Sequence, residues 1–183
     1  GRHLVINSLA VLAAVDAVGA DVQAAAAALG DIRALRGRGQ RQEICGQDGA
    51  FVMIDESYNA SPASMEAAIR LLATATPARD GRRIAVLGDM LELGDLSEKY
   101  HSELVSRINS TNIDHVYFCG EYLTSVFSDL SPKNRKKQFI SIEYIHPIDN
   151  FKLKRGDLIF IKGSNKIGLN NLVQEFINYL ALS

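Results

Sequence analysis

Three short polar runs, each placed directly after an apolar stretch, carry the chemistry this chain has to offer. The run Asp55-Glu56-Ser57-Tyr58-Asn59 follows Phe51-Val52-Met53-Ile54 and precedes Ser61-Pro62. Adjacent carboxylates at the carboxyl end of a buried strand suit hydrogen bonding to a ribose or orientation of a ligand amine. The helix start after them offers free N–H groups to an anion. Asp89 follows Ala85-Val86-Leu87-Gly88, where glycine permits close backbone approach, and supplies a second acidic strand end. Lys162-Gly163-Ser164 follows a β-rich run, and a cation beside a hydroxyl suits a carboxylate or phosphate. Each has a plainer reading. Asp, Asn and Ser populate turns for conformational reasons, Asp89 reads equally as a solvated carboxylate closing a strand, and His101 reads as a structural histidine. The cluster Lys133, Arg135, Lys136 and Lys137 reads most simply as a solvated loop. The triphosphate-wrapping pattern G-x-x-x-x-G-K-[ST] is absent from the chain.

Those runs gain meaning from the elements that must hold them. Apolar residues from about Leu4 to Ala17 follow helical spacing to a stop at Gly19, and a second helix from about Asp21 to Leu29 has Asp21 as N-cap and Gly30 as stop. Together they predict a helical hairpin. The stretch from Arg33 to Arg41 holds arginine and glycine with almost nothing apolar and reads as an exposed linker or hinge. From Gln42 the pattern alternates. Strands are expected at Gln42 to Cys45 and Ala50 to Ile54 around Gly46-Gln47-Asp48-Gly49, then at Arg83 to Leu87, His115 to Cys119, near Phe139 to Ile142, and at Leu158 to Ile161. Helices are expected at Ser61 to Ala75, Ser97 to Asn109, near Tyr122 to Asp129, and at Leu169 to Leu180. The rhythm predicts an α/β, Rossmann-like, mainly parallel sheet with helices on both faces, with a domain boundary near residue 40.

Composition narrows the function classes. At 183 residues and 47% hydrophobic content the chain can bury a core, and 20 basic against 21 acidic residues make no electrostatic case for nucleic acid or an anionic membrane. No apolar run approaches the ~20 residues that cross a bilayer, so a soluble protein is expected. Cys45 and Cys119 lack metal-site or redox spacing, which predicts free, buried thiols in a cytoplasmic setting. The chain starts at Gly1 and drops at once into helical periodicity, as a segment of a longer protein would. No lysine precedes Lys99 and only Ala181 follows Ala85 among alanines; the β-α rhythm crosses this shift undisturbed.

Gly1-Arg2-His3, Asn7-x-Leu9-Ala10, the arginine-rich hinge, Asp55-x-Ser57-Tyr58-Asn59-Ala60-x-Pro62-x-Ser64-Met65, Leu87-Gly88-Asp89-Met90-x-Glu92-Leu93-Gly94 and Lys162-Gly163-Ser164 resemble the Mur ligases along essentially the whole chain. Leu4 and Ser61 stand where many members have asparagine. The resemblance implies the end of a central ATPase domain, residues 1–40, and a carboxyl-terminal domain, residues 41–183. It implies an ATP-dependent, Mg2+-assisted ligase that adds D-alanyl-D-alanine to UDP-N-acetylmuramoyl-tripeptide through an acyl phosphate in peptidoglycan synthesis. It places Asn7 near adenine, Arg38, or in its stead Arg36 or Arg41, at the nucleotide, and Asp55 or Glu56 at ribose. Tyr58 and Asn59 would line the cleft, and Asp89, Lys162 and Ser164 would meet the dipeptide. The P-loop lysine and the metal ligands are expected upstream, so this stretch is expected to be inactive alone; a monomer is expected. Two alternatives remain: a sister ligase, such as another Mur ligase or folylpolyglutamate synthase, and a noncatalytic α/β module binding a nucleotide or protein partner.

Overall fold

The computed structural model of the chain describes residues 2–31, 34–46, 49–145 and 151–180. The chain divides into two compact units, residues 1–34 and 35–183. In the first, α1 (Arg2–Ala17) and α2 (Val22–Gly30) form the expected hairpin, turned at Gly19 with φ of +70°. Asp21 caps α2: its Oδ1 accepts from the N–H groups of Gln23 at 2.9 Å and Ala24 at 3.0 Å. Val5, Ile6, Leu9, Val11 and Val18 are all exposed.

The second unit is built on six strands: β1 (Gln40–Gly46), β2 (Gly49–Glu56), β3 (Arg83–Gly88), β4 (His115–Cys119), β5 (Arg135–Phe139) and β6 (Leu158–Lys162). Their spatial order is β1-β2-β6-β3-β4-β5, antiparallel between β1 and β2 and parallel elsewhere. The tip of the first hairpin, Gln47 and Asp48, lies outside the described residues, as does Arg33. Alternation along the strands sends Ile54, Leu87, Phe118 and Phe160 to one face, under α3 (Pro62–Thr74), α4 (Ser97–Asn109) and α5 (Glu121–Ser125). Met53, Val86, Cys119 and Ile161 go to the other, under α6 (Leu169–Leu180). The expected α/β sheet with helices on both faces is what forms.

α3 starts where expected: Ser61 and Ser64 form a reciprocal capping box, with Pro62 at the first helical position. At the sheet's amino end, buried Asp157 binds the Arg82 guanidinium and the Arg82 and Lys154 N–H groups, tying β6 to the start of β3.

Three expectations are corrected. The strand expected near Phe139 to Ile142 ends at Phe139, and Arg135, Lys136 and Lys137 are strand residues, not a solvated loop. β5 is an edge strand, so its side chains stay largely exposed and sequence pattern alone reads as loop; its basic residues also guard the open edge against another sheet. The arginine-rich stretch is not wholly an exposed linker, because Gly37 is buried against the end of β2 and residues from Leu35 onward belong to the second unit. Cys119 is buried, but Cys45 on edge strand β1 is exposed; both are free.

Candidate functional site

Parallel pairing puts the turns after β2, β6, β3 and β4 on one rim. Glu56 pairs with Lys162, Lys162 with Leu87, and Gly88 with Cys119. The polar runs singled out by sequence therefore converge. Where β3 and β6 leave the sheet, a Cβ on Gly163 would sit 2.9 Å from the Gly88 Cα, and one on Gly88 only 3.3 Å from the Gly163 Cα. The close approach that Gly88 permits is to a neighbouring strand.

Asp55 and Glu56 face opposite ways, as consecutive strand residues must. Asp55 is buried, and its Oδ2 accepts from the Gly37 N–H at 2.9 Å. Its Oδ1 accepts from the Ser57 N–H at 3.0 Å and the Ser57 hydroxyl at 2.6 Å. Gly37 has φ of +72°, and a Cβ there would meet Tyr58 Cβ at 2.8 Å, so only glycine fits this latch. Glu56 turns to the α3 side, where its Oε2 lies 3.0 Å from Lys162 Nζ. Lys162, 3% exposed, also donates to the Asn59 carbonyl at 2.7 Å. Asn59 in turn accepts from the Ala60 N–H at 2.8 Å.

These contacts change the roles expected of the charged groups. Lys162 is not a free cation awaiting a carboxylate; it clamps the β2 turn to the end of β6. Asp89 is 2% exposed and accepts from the N–H groups of Tyr122 at 3.0 Å and Leu123 at 2.8 Å, capping α5 from another strand. It is buried rather than a solvated carboxylate. Burial raises its pKa, against the lowering pull of those N–H groups. Gly120, with φ of +120°, leaves room for that carboxylate, since a Cβ there would lie 2.4 Å from it. His101 is structural: its Nε2 accepts from the Met90 N–H at 3.0 Å, so its proton sits on Nδ1, which donates to the Ser97 carbonyl at 2.6 Å. Ser164 stitches the turns together, its N–H donating to the Asp89 carbonyl at 3.0 Å and its Oγ accepting from the Leu91 N–H at 2.9 Å. Burial, with the Asp89 charge adding to it, pushes the Cys119 thiol up to about 12, so it is no nucleophile at neutral pH.

What faces outward is Tyr58, 47% exposed, with the Arg38 guanidinium 4.3 Å from its ring centroid. Asn7 lies exposed on α1 in the first unit. Beside the Tyr58 turn opens a groove of about 530 Å³ between β1 and α6, with Asp55 and Arg36 at its margin. Its amide side chains, Gln40, Gln42, Asn165, Asn170 and Asn171 among them, were not singled out by sequence. The alternation of Gln40 and Gln42 and the Asn170-Asn171 pair were the available signals. Among the described residues no three acidic, histidine or cysteine side chains gather to hold a metal ion, and no helix is long and apolar enough to cross a membrane.

A sheet covered on both faces, with its strand-end turns gathered on one rim and the Gly37 turn latched beside them, defines an α/β domain of Rossmann type. Residues 40–165 match the family model described as Mur ligase, glutamate ligase domain, and the chain belongs to the Mur ligase family. It is 35% identical over 182 residues to the UDP-N-acetylmuramoyl-tripeptide–D-alanyl-D-alanine ligase of Bacillus subtilis, covering 97% of this chain and 38% of that protein. It is 36% identical over 177 residues to the enzyme of the same name from Rickettsia prowazekii, covering 96% of this chain and 37% of that protein. The chain thus spans little more than a third of the relatives it matches. Among solved structures, MurF from Acinetobacter baumannii superposes with a TM-score of 0.78 at 24% identity, covering 97% of this chain and 38% of that one. MurF ligase from Thermotoga maritima in complex with ADP gives 0.69 at 24% identity, covering 93% and 36%. These likenesses bear on fold.

Proposed function

We propose that the chain is the carboxyl-terminal part of a cytoplasmic, ATP-dependent ligase that joins D-alanyl-D-alanine to UDP-N-acetylmuramoyl-tripeptide in peptidoglycan synthesis. The observation that carries this reading is 35% identity, sustained over 97% of the chain, to a relative named for that reaction. Residues 1–34 are the end of the central ATPase domain, with Asn7 near adenine, and residues 35–183 are the domain that brings the dipeptide. Arg38 and Tyr58 suit the nucleotide side, an exposed cation stacked on a half-exposed ring. Glu56, held by Lys162, is the rim carboxylate available to ribose, since Asp55 is spent on Gly37 and Ser57.

The chemistry contributed by bound ATP is activation of the acceptor carboxylate as an acyl phosphate. This chain's part is positioning: it brings the dipeptide to the activated carboxylate, and closure over the nucleotide excludes water. Mg2+ is assigned to the central ATPase domain, as the family resemblance implies. The protein acts as a monomer. The test is mass spectrometry of products made by the whole protein from ATP, the tripeptide substrate and a mixture of D-alanyl-D-alanine, D-glutamate and L-lysine. Product carrying only the dipeptide is expected; product carrying a single amino acid would instead assign the chain to a sister ligase.

A further inference from the structure

The chain is nearly neutral as a whole, but its charges are not evenly placed. The end of the sheet opposite the rim, where β3, β4, β5 and β6 start, carries an excess of cations. Three carboxylates there are already taken, Asp80 by Arg79 at 3.8 Å, Asp114 by Arg83 at 3.9 Å and Asp157 by Arg82. Lys133, Lys136 and Lys137, in and just before β5, are exposed and have no ion pair among the described residues. The same holds for Lys152, Lys154 and Arg155 in the turn before β6. Strand order sets the two groups three strand spacings apart, about 14 Å. Positive charge is continuous between them: Arg82 donates to the Lys152 carbonyl at 2.8 Å, and both Arg82 and Lys136 act on His115. Asp129 is the one carboxylate in residues 129–137, and the paired Asp157 the one in 151–157. Cations gathered in this way repel one another in the folded chain, and an anionic partner relieves that repulsion.

The form of the partner follows from what stands among the cations. No large apolar side chain is exposed in residues 131–137 or 151–157, and the exposed rings, Tyr58 and Tyr122, belong to the rim turns. Protein interfaces are poor in lysine and centre on aromatic or apolar anchors. Single-stranded nucleic acid takes rings on which bases stack. Long exposed lysines spread over a broad end suit a diffuse, planar charge, and an anionic lipid surface strengthens binding about fivefold for each Lys or Arg brought near it.

We infer that the end of the sheet opposite the rim, together with the edge of β5, is a docking surface for an anionic lipid bilayer. Strands of about five residues put it roughly 17 Å from the rim, so the turns there stay clear of the lipid. The inference adds to the reaction proposed above and does not depend on it.

The test is sedimentation of the whole protein with vesicles of phosphatidylcholine alone, or mixed in equal parts with phosphatidylglycerol. Binding is expected to the mixed vesicles only, and to be lost between about 0.1 M and 1 M salt, as the screening length falls from roughly 10 Å to 3 Å. Lys136→Gln with Lys137→Gln, and separately Lys152→Gln with Lys154→Gln, should each weaken it about twentyfold. Lys99→Gln with Lys166→Gln removes equal charge at exposed positions elsewhere and should weaken it less than about twofold. Equal binding to neutral vesicles, binding indifferent to salt, or equal weakening by all three pairs overturns the inference. Tighter binding to polyglutamate or duplex DNA at matched anion concentration would assign the surface to an acidic protein or a nucleic acid and overturn it too. Should one lysine pair fail to fold, the other reads the same surface. Ligation in lipid-free solution should be unchanged in both pairs, so vesicle binding and the proposed reaction stand or fall separately.

Discussion

Asp55 and Glu56 are neighbours in sequence with unrelated work, because a strand sends consecutive side chains to opposite faces. Asp55 latches the Gly37 turn, and its replacement by alanine would orphan the buried Gly37 N–H and free the Ser57 hydroxyl. Such charge-assisted bonds place the loss for Asp55→Ala at about 3 kcal/mol, measured as a lowered urea midpoint; an unchanged midpoint would mean the latch is dispensable. His115 offers a pH test. Its Nδ1 has no hydrogen-bond partner, and burial, with Lys136 and Arg82 nearby, holds its pKa at about 4, below the ordinary 6.5. The unfolded chain therefore takes up the proton first as pH falls. Stability tied to this residue is full above pH 6.5, declines between about 6.5 and 4, and is level below that. The urea midpoint should drop between pH 7.5 and 5 by more in the wild type than in His115→Gln, and a His115 titration near 6.5 by NMR would refute it. Sequence marked turns that gather on one rim, and their side chains are bonded within it. The backbone groups that Asp89, Lys162 and Ser164 serve, from Asn59 to Leu123, are not visible in the sequence.

At the scale of elements, the parallel core was legible because β2, β3, β4 and β6 are apolar runs bounded by turn residues, and Ser61-Pro62 announced α3 through its own capping chemistry. Edges were less legible. β5 has one buried residue, Phe139, at its end, so packing left little trace, and the groove amides are individually ordinary polar residues made notable only when β1 and α6 meet. Two elements hang on single groups. Asp157→Ala would strip β6 and β3 of the Arg82 ion pair and of the Lys154 N–H bond, a loss of about 4 kcal/mol for a buried pair broken on one side. Gly120→Ala would drive a methyl into the Asp89 carboxylate at a positive φ, costing about 3 kcal/mol. Thermal unfolding checks both, and a variant within about 0.5 kcal/mol of wild type at either site would contradict the packing described.

For the whole molecule, the exposed apolar residues of α1 and the inward-turned charges of the rim lead to one expectation: alone, the 183-residue chain folds its sheet but performs no ligation. The family's shared architecture was readable from the Tyr58-Asn59-Ala60 and Gly88-Asp89-Met90 turns. The most direct measurement is D-alanyl-D-alanine-dependent phosphate release by the whole protein, with wild-type chain and with Arg38→Ala and Tyr58→Ala together. If the rim turn faces the reaction, release requires ATP, tripeptide and dipeptide at once and falls about a hundredfold in the double variant, as misplacement of reacting groups costs, while the variant's unfolding midpoint stays near wild type. Release within about twofold of wild type, or release indifferent to the dipeptide, would contradict the account.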